Sequence, residues 1–201
     1  LYQAGAMMAK IHGVKVTGYG YFDNQRARKY GELVGLHGTY RNHCLAALDA
    51  NLSDLVGSDH ITDFQADKIK SLLKSTDKFN IAAASLVHND IADWNIIVDG
   101  GAISAVIDWD EAHAGDPVAD IACWSLFFSE KRLKKFVEGY RTTRELEADF
   151  EERLHLYRLR YLVSKLALRH KVYSYKKNAH VEGLIRSGLE ALEKESEYFE
   201  L

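Results

Sequence analysis

The chain has 201 residues, 47% of them hydrophobic, with a formal net charge of −3 and a pI near 6.3. That length supports one substantial core in one to two domains. The balanced charge gives no footprint for nucleic acid, no apolar run is long enough to span a membrane, and no signal-peptide pattern is present, so neither nucleic acid nor membrane is expected as a partner.

Taken in order, the elements are mostly helical. Tyr2–His12 reads as a helix with Met7, Met8 and Ile11 on its apolar side. Residues 13–35 form a loop-rich stretch in which Gly18-Tyr19-Gly20 is expected to be a surface loop; Lys15 there lacks a strand context. Thr39–Asn51 has helical spacing through Tyr40, Cys44, Leu45 and Leu48. Asp63–Ser75 is predicted to be a helix, with Thr62 as N-cap. Ala83–Val87 is a predicted buried strand. Residues 96–98 and 103–107 read as two strands about an Asp99-Gly100-Gly101 turn. Pro117, the only proline, suits the first turn of a helix running to about Phe128. Lys131–Tyr140, Glu145–Tyr173 and His180–Tyr198 complete a helical C-terminal third, its leucine and tyrosine stripes read as core. Cys44 and Cys123 fall in apolar helical patterns and read as buried thiols of a reducing cytoplasm.

The chemistry concentrates around the central hairpin. Folding it about Gly100–Gly101 brings Asn95 close to Asp108, while Asp90 lies five residues earlier, in the loop entering the first strand. One carboxylate to orient a hydroxyl, with an amide oxygen and a second carboxylate to hold metal, is the set that magnesium-dependent phosphoryl transfer needs. From His88 to Asp120 there are eight carboxylates and no Lys or Arg. Crowded like charges repel, and a divalent cation would relieve them. Trp94 and Trp109 flank the metal-ligand candidates and are expected to pack the hairpin, whereas Trp124 reads as core. His113, in the loop after Asp108, could face substrate, but a solvent-exposed or hydrogen-bonded structural role is the reading preferred. Arg169-His170-Lys171 reads as a solvated helix end.

His88-Asn89-Asp90 with Asn95, then Ile107-Asp108-Trp109, then Gly115-Asp116-Pro117-Val118-Ala119-Asp120-Ile121-Ala122, resembles the aminoglycoside phosphotransferase and choline kinase family. The resemblance is concentrated in residues 84–125. It implies a protein-kinase-like fold, of α+β class and mostly α-helical, in which a small β-hairpin carries the catalytic and metal residues. It also implies a cytoplasmic enzyme that moves the γ-phosphate of ATP or GTP, with Mg2+, to a hydroxyl of a small molecule. An acidic cleft suits a cationic acceptor.

The resemblance assigns roles position by position. Asp90 would be catalytic; Asn95 and Asp108 would bind magnesium on the nucleotide phosphates. Ile97 and Ile107 would floor the nucleotide base, and Asp110 and Glu111 would lie near the acceptor. His88 and Asp120 would support the catalytic loop. Asn89 stands where the family most often has Gly. Kinases of this fold also carry an N-terminal lobe with a phosphate loop and a Lys. Residues 1–201 are expected to be the C-terminal lobe only, the N-terminal nucleotide-binding lobe being absent from this chain and the isolated lobe inactive. Two other classes compete: a non-catalytic binding module or pseudokinase lobe, and a metal-dependent phosphoester hydrolase.

Overall fold

The computed structural model describes residues Leu1–Leu201. It comprises α1 (Tyr2–Ile11), β1 (Tyr19–Phe22), α2 (Asn24–Tyr30), β2 (Gly35–His37), α3 (Tyr40–Leu45), α4 (Leu48–Gly57), α5 (Asp63–Ser75), β3 (Ser85–Val87), β4 (Ile96–Asp99), β5 (Ala102–Val106), β6 (His113–Gly115), α6 (Pro117–Phe127), α7 (Glu130–Arg141), α8 (Phe150–Tyr175) and α9 (Ala179–Tyr198). The strands form a four-stranded antiparallel sheet, ordered β2-β1-β6-β3, and the separate hairpin β4-β5. The chain divides into two compact units, Leu1–His43 with Asn80–Leu154, and Cys44–Phe79 with His155–Leu201. No helix is long and apolar enough to cross a membrane.

The first unit is built around α1, α6 and α7. Met8, Ile121, Trp124, Phe136 and Tyr140 are buried there. Helices α1 and α7 cross at two glycines: a methyl group on Gly5 would overlap the Phe136 carbonyl, and one on Gly139 would overlap the Tyr2 carbonyl. Any larger side chain would force the backbones apart. Trp124 stacks on Phe136 at 4.6 Å, as its core reading expects.

The second unit is helical. Leu52, Leu55, Ile69, Leu73, Phe79, Leu159, Leu162 and Leu166 form its core. α5 begins with a reciprocal cap. The Thr62 hydroxyl accepts from the Gln65 amide at 3.2 Å, and the Gln65 side chain accepts from the Thr62 amide at 2.9 Å, satisfying donors that a helix start leaves exposed. The basic run of α8 is engaged rather than simply solvated. Lys171 meets Asp54 at 2.7 Å, and His170 meets His60 at 3.1 Å. Burial, then the neighbouring His170, holds the His60 imidazole below its ordinary 6.5.

Several expectations are corrected. Gly18-Tyr19-Gly20 is not a surface loop: Tyr19–Phe22 is a central strand of the sheet, paired with β2 and β6. Lys15 makes one antiparallel bridge to Ser85. The helix expected over Thr39–Asn51 is two helices parted at Ala46–Ala47, α8 starts at Phe150 rather than near Glu145, and the buried strand starts at Ser85. The central hairpin matches its reading closely. Gly100 and Gly101 have φ of 55° and 80°, the left-handed pair that suits a two-residue hairpin turn, and Asp99 pairs with Ala102.

Candidate active site

The site is an excursion closed at its base by two strands. β3 leads into residue 88 and β6 receives the chain after residue 112. Their register pairs Val87 with His113, Leu86 with Ala114 and Ser85 with Gly115. Both loops of the site therefore spring from one anchored point. Between them, β4-β5 pairs Ile96 with Val106, and the Ile107 amide donates to the Asn95 carbonyl at 3.0 Å. The register thus brings Asn95 and Asp108 to the same open end of the hairpin.

The loop that carries Asp90 is fixed from beneath. Asp120, in the first turn of α6, is fully buried. Its carboxylate accepts from the His88 amide at 2.8 Å and the Asn89 amide at 2.6 Å. It also receives His12 Nε2 at 2.9 Å, and the other His12 nitrogen meets the Tyr140 hydroxyl at 2.9 Å. Burial alone would raise the Asp120 carboxyl; His12 and the two amides outweigh it and hold it below the ordinary 3.8. Burial pushes the Tyr140 hydroxyl up.

His88 bridges the two loops. Its Nε2 meets the Ile107 carbonyl at 2.9 Å, and its Nδ1 accepts the Asp90 amide at 3.3 Å. A carbonyl can only accept and an amide can only donate, so the proton sits on Nε2. The imidazole thereby ties the backbone of Asp90 to the residue before Asp108. Trp109 packs on His88 at 4.6 Å and donates its indole N–H to the Val106 carbonyl at 2.8 Å.

Two residues are held in the left-handed region, Asn89 at φ 65° and Asp108 at φ 64°. Asn and Asp tolerate this region better than other residues with a Cβ. Asn89 therefore keeps a backbone conformation that Gly would adopt freely. Its side chain adds a contact glycine lacks, donating to Glu111 Oε2 at 3.1 Å. Below it, the Cys123 thiol donates to the Asn89 carbonyl at 3.7 Å; Cys44 and Cys123 are both buried and free of any disulfide.

Apart from Asp99, which pairs with Ala102 at the hairpin turn, the acidic stretch sorts into two groups. Asp93 pairs with Arg132 at 2.8 Å, Asp116 with Arg153, and Asp120 with His12. These partners come from α7, α8 and the end of α1, outside the stretch. Asp90, Asp108, Asp110 and Glu111 remain around the open end, with Asp108 and Asp110 exposed and Asp90 half-buried. The donor set suits a hard cation. The Asn95 amide nitrogen donates to the Asp90 carbonyl at 2.9 Å, which commits that end and leaves Oδ1 as the atom that could ligate a cation. Its companion is the carboxylate of Asp108, so both donors are oxygens, as magnesium requires. By register, Ile97 and Ile107 are diagonal neighbours on one hairpin face, and they are 46% and 42% exposed.

Sequence reasoning missed His12, Tyr140, Arg153 and the Asn89–Glu111 contact. Each depends on a partner distant in sequence, and of these residues only Asn89 lies in an ordered motif. His113, read as structural, is buried in β6 and stacked near Tyr40 and His43. Trp94 meets Phe127 and Phe128 at the end of α6.

Residues 1–176 match the model of the phosphotransferase enzyme family. A 58-residue segment is 33% identical to the uncharacterized protein YcbJ of Bacillus subtilis (strain 168), covering 28% of this chain and 19% of that protein. Among solved structures, a thermostable mutant of aminoglycoside phosphotransferase APH(4)-Ia superposes with a TM-score of 0.60 at 23% identity, over 94% of this chain and 64% of that one. The same enzyme has been solved with ADP and hygromycin B, and that structure also gives 0.60, at 22% identity and the same coverages. The macrolide 2'-phosphotransferase type I gives 0.58 at 19% identity, over 95% and 57%. The chain thus spans less than two thirds of the solved structures it matches, and at these identities they establish a protein-kinase-like fold. The family match covers most of the sequence and includes every residue of the site: the chain belongs to the phosphotransferase enzyme family.

Proposed function

We propose that this chain is the C-terminal lobe of a small-molecule kinase that transfers the γ-phosphate of ATP or GTP to a hydroxyl of a cationic acceptor in the cytoplasm. A separate N-terminal nucleotide-binding lobe would complete the enzyme. The observation that carries the reading is the hairpin register that brings Asn95 and Asp108 to one open end, with Asp90 tied to the residue before Asp108 through His88 and to Asn95 through its side-chain amide. Support also comes from the APH(4)-Ia neighbour, solved with ADP and with hygromycin B.

In this reading Asp90 accepts or orients the proton of the attacking hydroxyl. Asn95 Oδ1 and the Asp108 carboxylate hold Mg2+, which when bound neutralises charge on the nucleotide phosphates. Ile97 and Ile107 lie under the base. Asp110 and Glu111 attract the cationic groups of the acceptor. His88, Asn89 and Asp120 act through the backbone, presenting Asp90 in one geometry so that no reorganisation is needed at the moment of reaction.

The test uses the full-length protein with γ-labelled ATP and GTP, magnesium, and hygromycin B or choline as acceptor. Label appearing on an acceptor hydroxyl is the expected result. Tight nucleotide binding without transfer would favour the non-catalytic module. Magnesium-dependent cleavage of a phosphoester without nucleotide would favour the hydrolase.

A further inference from the structure

Asn95 ends a short 3₁₀ turn, Asp93–Asn95, and a single turn of that kind holds its shape poorly without help. Its start carries no side-chain cap, and the Ile96 amide donates back to the Asp93 carbonyl. The Asn95 amide donates to the Ala92 carbonyl at 3.1 Å. Support from outside the turn comes from α7. Arg132 Nη2 donates to Asp93 Oδ2 at 2.8 Å, and the same guanidinium lies 4.2 Å over the Phe128 ring, an attraction of cation for ring face. Phe128 and Phe127 in turn back Trp94, at 6.4 and 5.1 Å between ring centres. One guanidinium thus steadies residue 93 by charge and residue 94 through a ring, and residue 95 is the next in the chain. Arg132 is itself anchored, since its amide donates to the Ser129 carbonyl at 2.8 Å and the adjoining Leu133 is buried.

For stability alone the arrangement is a poor one. The Asp93 and Arg132 side chains are 49% and 40% exposed, and an ion pair so open to water adds little to folding. Arg132 Nε is buried and meets no acceptor, an unfavourable state that a purely solvating arginine would escape by turning outward. What the arrangement does supply is a fixed orientation. Magnesium demands near-ideal octahedral geometry, so its affinity depends on how narrowly each ligand is held by the groups behind it. We infer that Arg132 is a positioning residue of the phosphotransfer site: through Asp93 and Phe128 it locks the turn that presents Asn95 Oδ1 to the metal. This rests on the reading of Asn95 as a magnesium ligand. Arg132 acts through the turn, its guanidinium committed to Asp93 and Phe128.

The test is calorimetric titration of ADP into the full-length protein, once with excess Mg2+ and once with EDTA. Wild type is compared with Arg132→Gln, Asp93→Asn, the double variant and Arg132→Lys, and the ligand-free melting temperature of each is the second readout. Each single variant should bind Mg-ADP about tenfold more weakly, with ADP affinity in EDTA unchanged. The double variant should be no worse than either, because the pair acts as one unit. Arg132→Lys keeps a cation beside Asp93 and should recover most of the affinity. Melting temperatures should hardly move. A merely structural pair gives the opposite split, a lowered melting temperature with the magnesium-dependent gain intact, and that result overturns the inference. Losses that add up in the double variant overturn it too. Should Arg132→Gln fail to fold, Asp93→Asn, which removes the charge and keeps the shape, carries the test. Wild type that gains no ADP affinity from Mg2+ rejects the metal reading of Asn95 and the inference with it. A gain present in wild type and equal in the variants rejects the inference alone.

Discussion

On its buried side the loop that carries Asp90 rests on Asp120, His12 and Tyr140, each packed away from water and hydrogen-bonded. On its outward side Asp108 and Asp110 stand exposed with Asp90 half-buried between the loops. The two sides handle carboxylates in opposite ways. Asp120 is stabilised by buried fixed donors, whereas Asp108 and Asp110 stand in solvent near further carboxylates, a grouping that suits a cation. Changes beneath the loop should therefore cost stability and activity together, and changes above it should cost activity alone.

The largest expected effect below the loop is Asp120→Ala. It leaves two backbone amides and His12 without their acceptor in a buried site, a loss of about 3–5 kcal/mol. Chemical denaturation measures the loss, and phosphotransfer should vanish with it. A folded, fully active Asp120→Ala protein would remove the brace from the account.

Gly139→Ala comes next. Its methyl overlaps the Tyr2 carbonyl, and the resulting displacement should cost about 1–3 kcal/mol. The gain of about 1 kcal/mol in helix propensity offsets only part of that. Because α1 carries the chain into His12 and α7 carries Tyr140, activity should fall along with the melting temperature. A variant with lowered stability and unchanged turnover would uncouple the helix crossing from the loop.

Asn89 divides the two sides. Asn89→Ala should destabilise by about 1–2 kcal/mol, the cost of a left-handed residue without compensating contacts. Asn89→Gly should retain stability yet lose the tie to Glu111, so its acceptor KM should rise with the melting temperature held. Equal behaviour of the two variants in both assays would break the comparison.

The smallest effect is read with pH. The folded Asp120 carboxyl is depressed below 3.8, so its contribution is present above that value and lost as pH falls through the folded value. His60 is a histidine lowered below 6.5. Between the unfolded and folded values the unfolded chain binds more protons, so stability declines as pH falls below 6.5. Unfolding curves of His60→Gln should be flatter than wild type just below pH 6.5, while Asp120→Asn should flatten only the limb below 3.8. An unchanged slope in either variant contradicts the corresponding assignment.

What was legible in the residue string was local. Gly100-Gly101 between two short apolar runs dictates a hairpin, and the hairpin places Asn95 against Asp108 without reference to the rest of the chain. Asp63–Ser75 was equally readable, since its cap and apolar stripe lie within one segment. The strands β1, β2 and β6 were not. Each is three or four residues long and owes its conformation to partners far away, as Tyr21 does to His113; alternation cannot register over so few positions. The break between α3 and α4 falls at Ala46–Ala47, two strong helix formers that signal continuation. His12 showed no motif because its partners lie 108 and 128 residues away. The candidate reacting residues and their supports Asp120 and His88 thus lie in motifs that the sequence displays, whereas His12 and Tyr140 beneath them were visible only in three dimensions.

The most direct test pairs Asp90→Asn with wild type in the full-length protein, measuring transfer of γ-phosphate to hygromycin B and the melting temperature of each. Removing the carboxylate from the outward side should lower turnover by about 10²–10⁴-fold with the melting temperature unchanged. An Asp90→Asn protein that turns over at the wild-type rate would contradict the account at its centre.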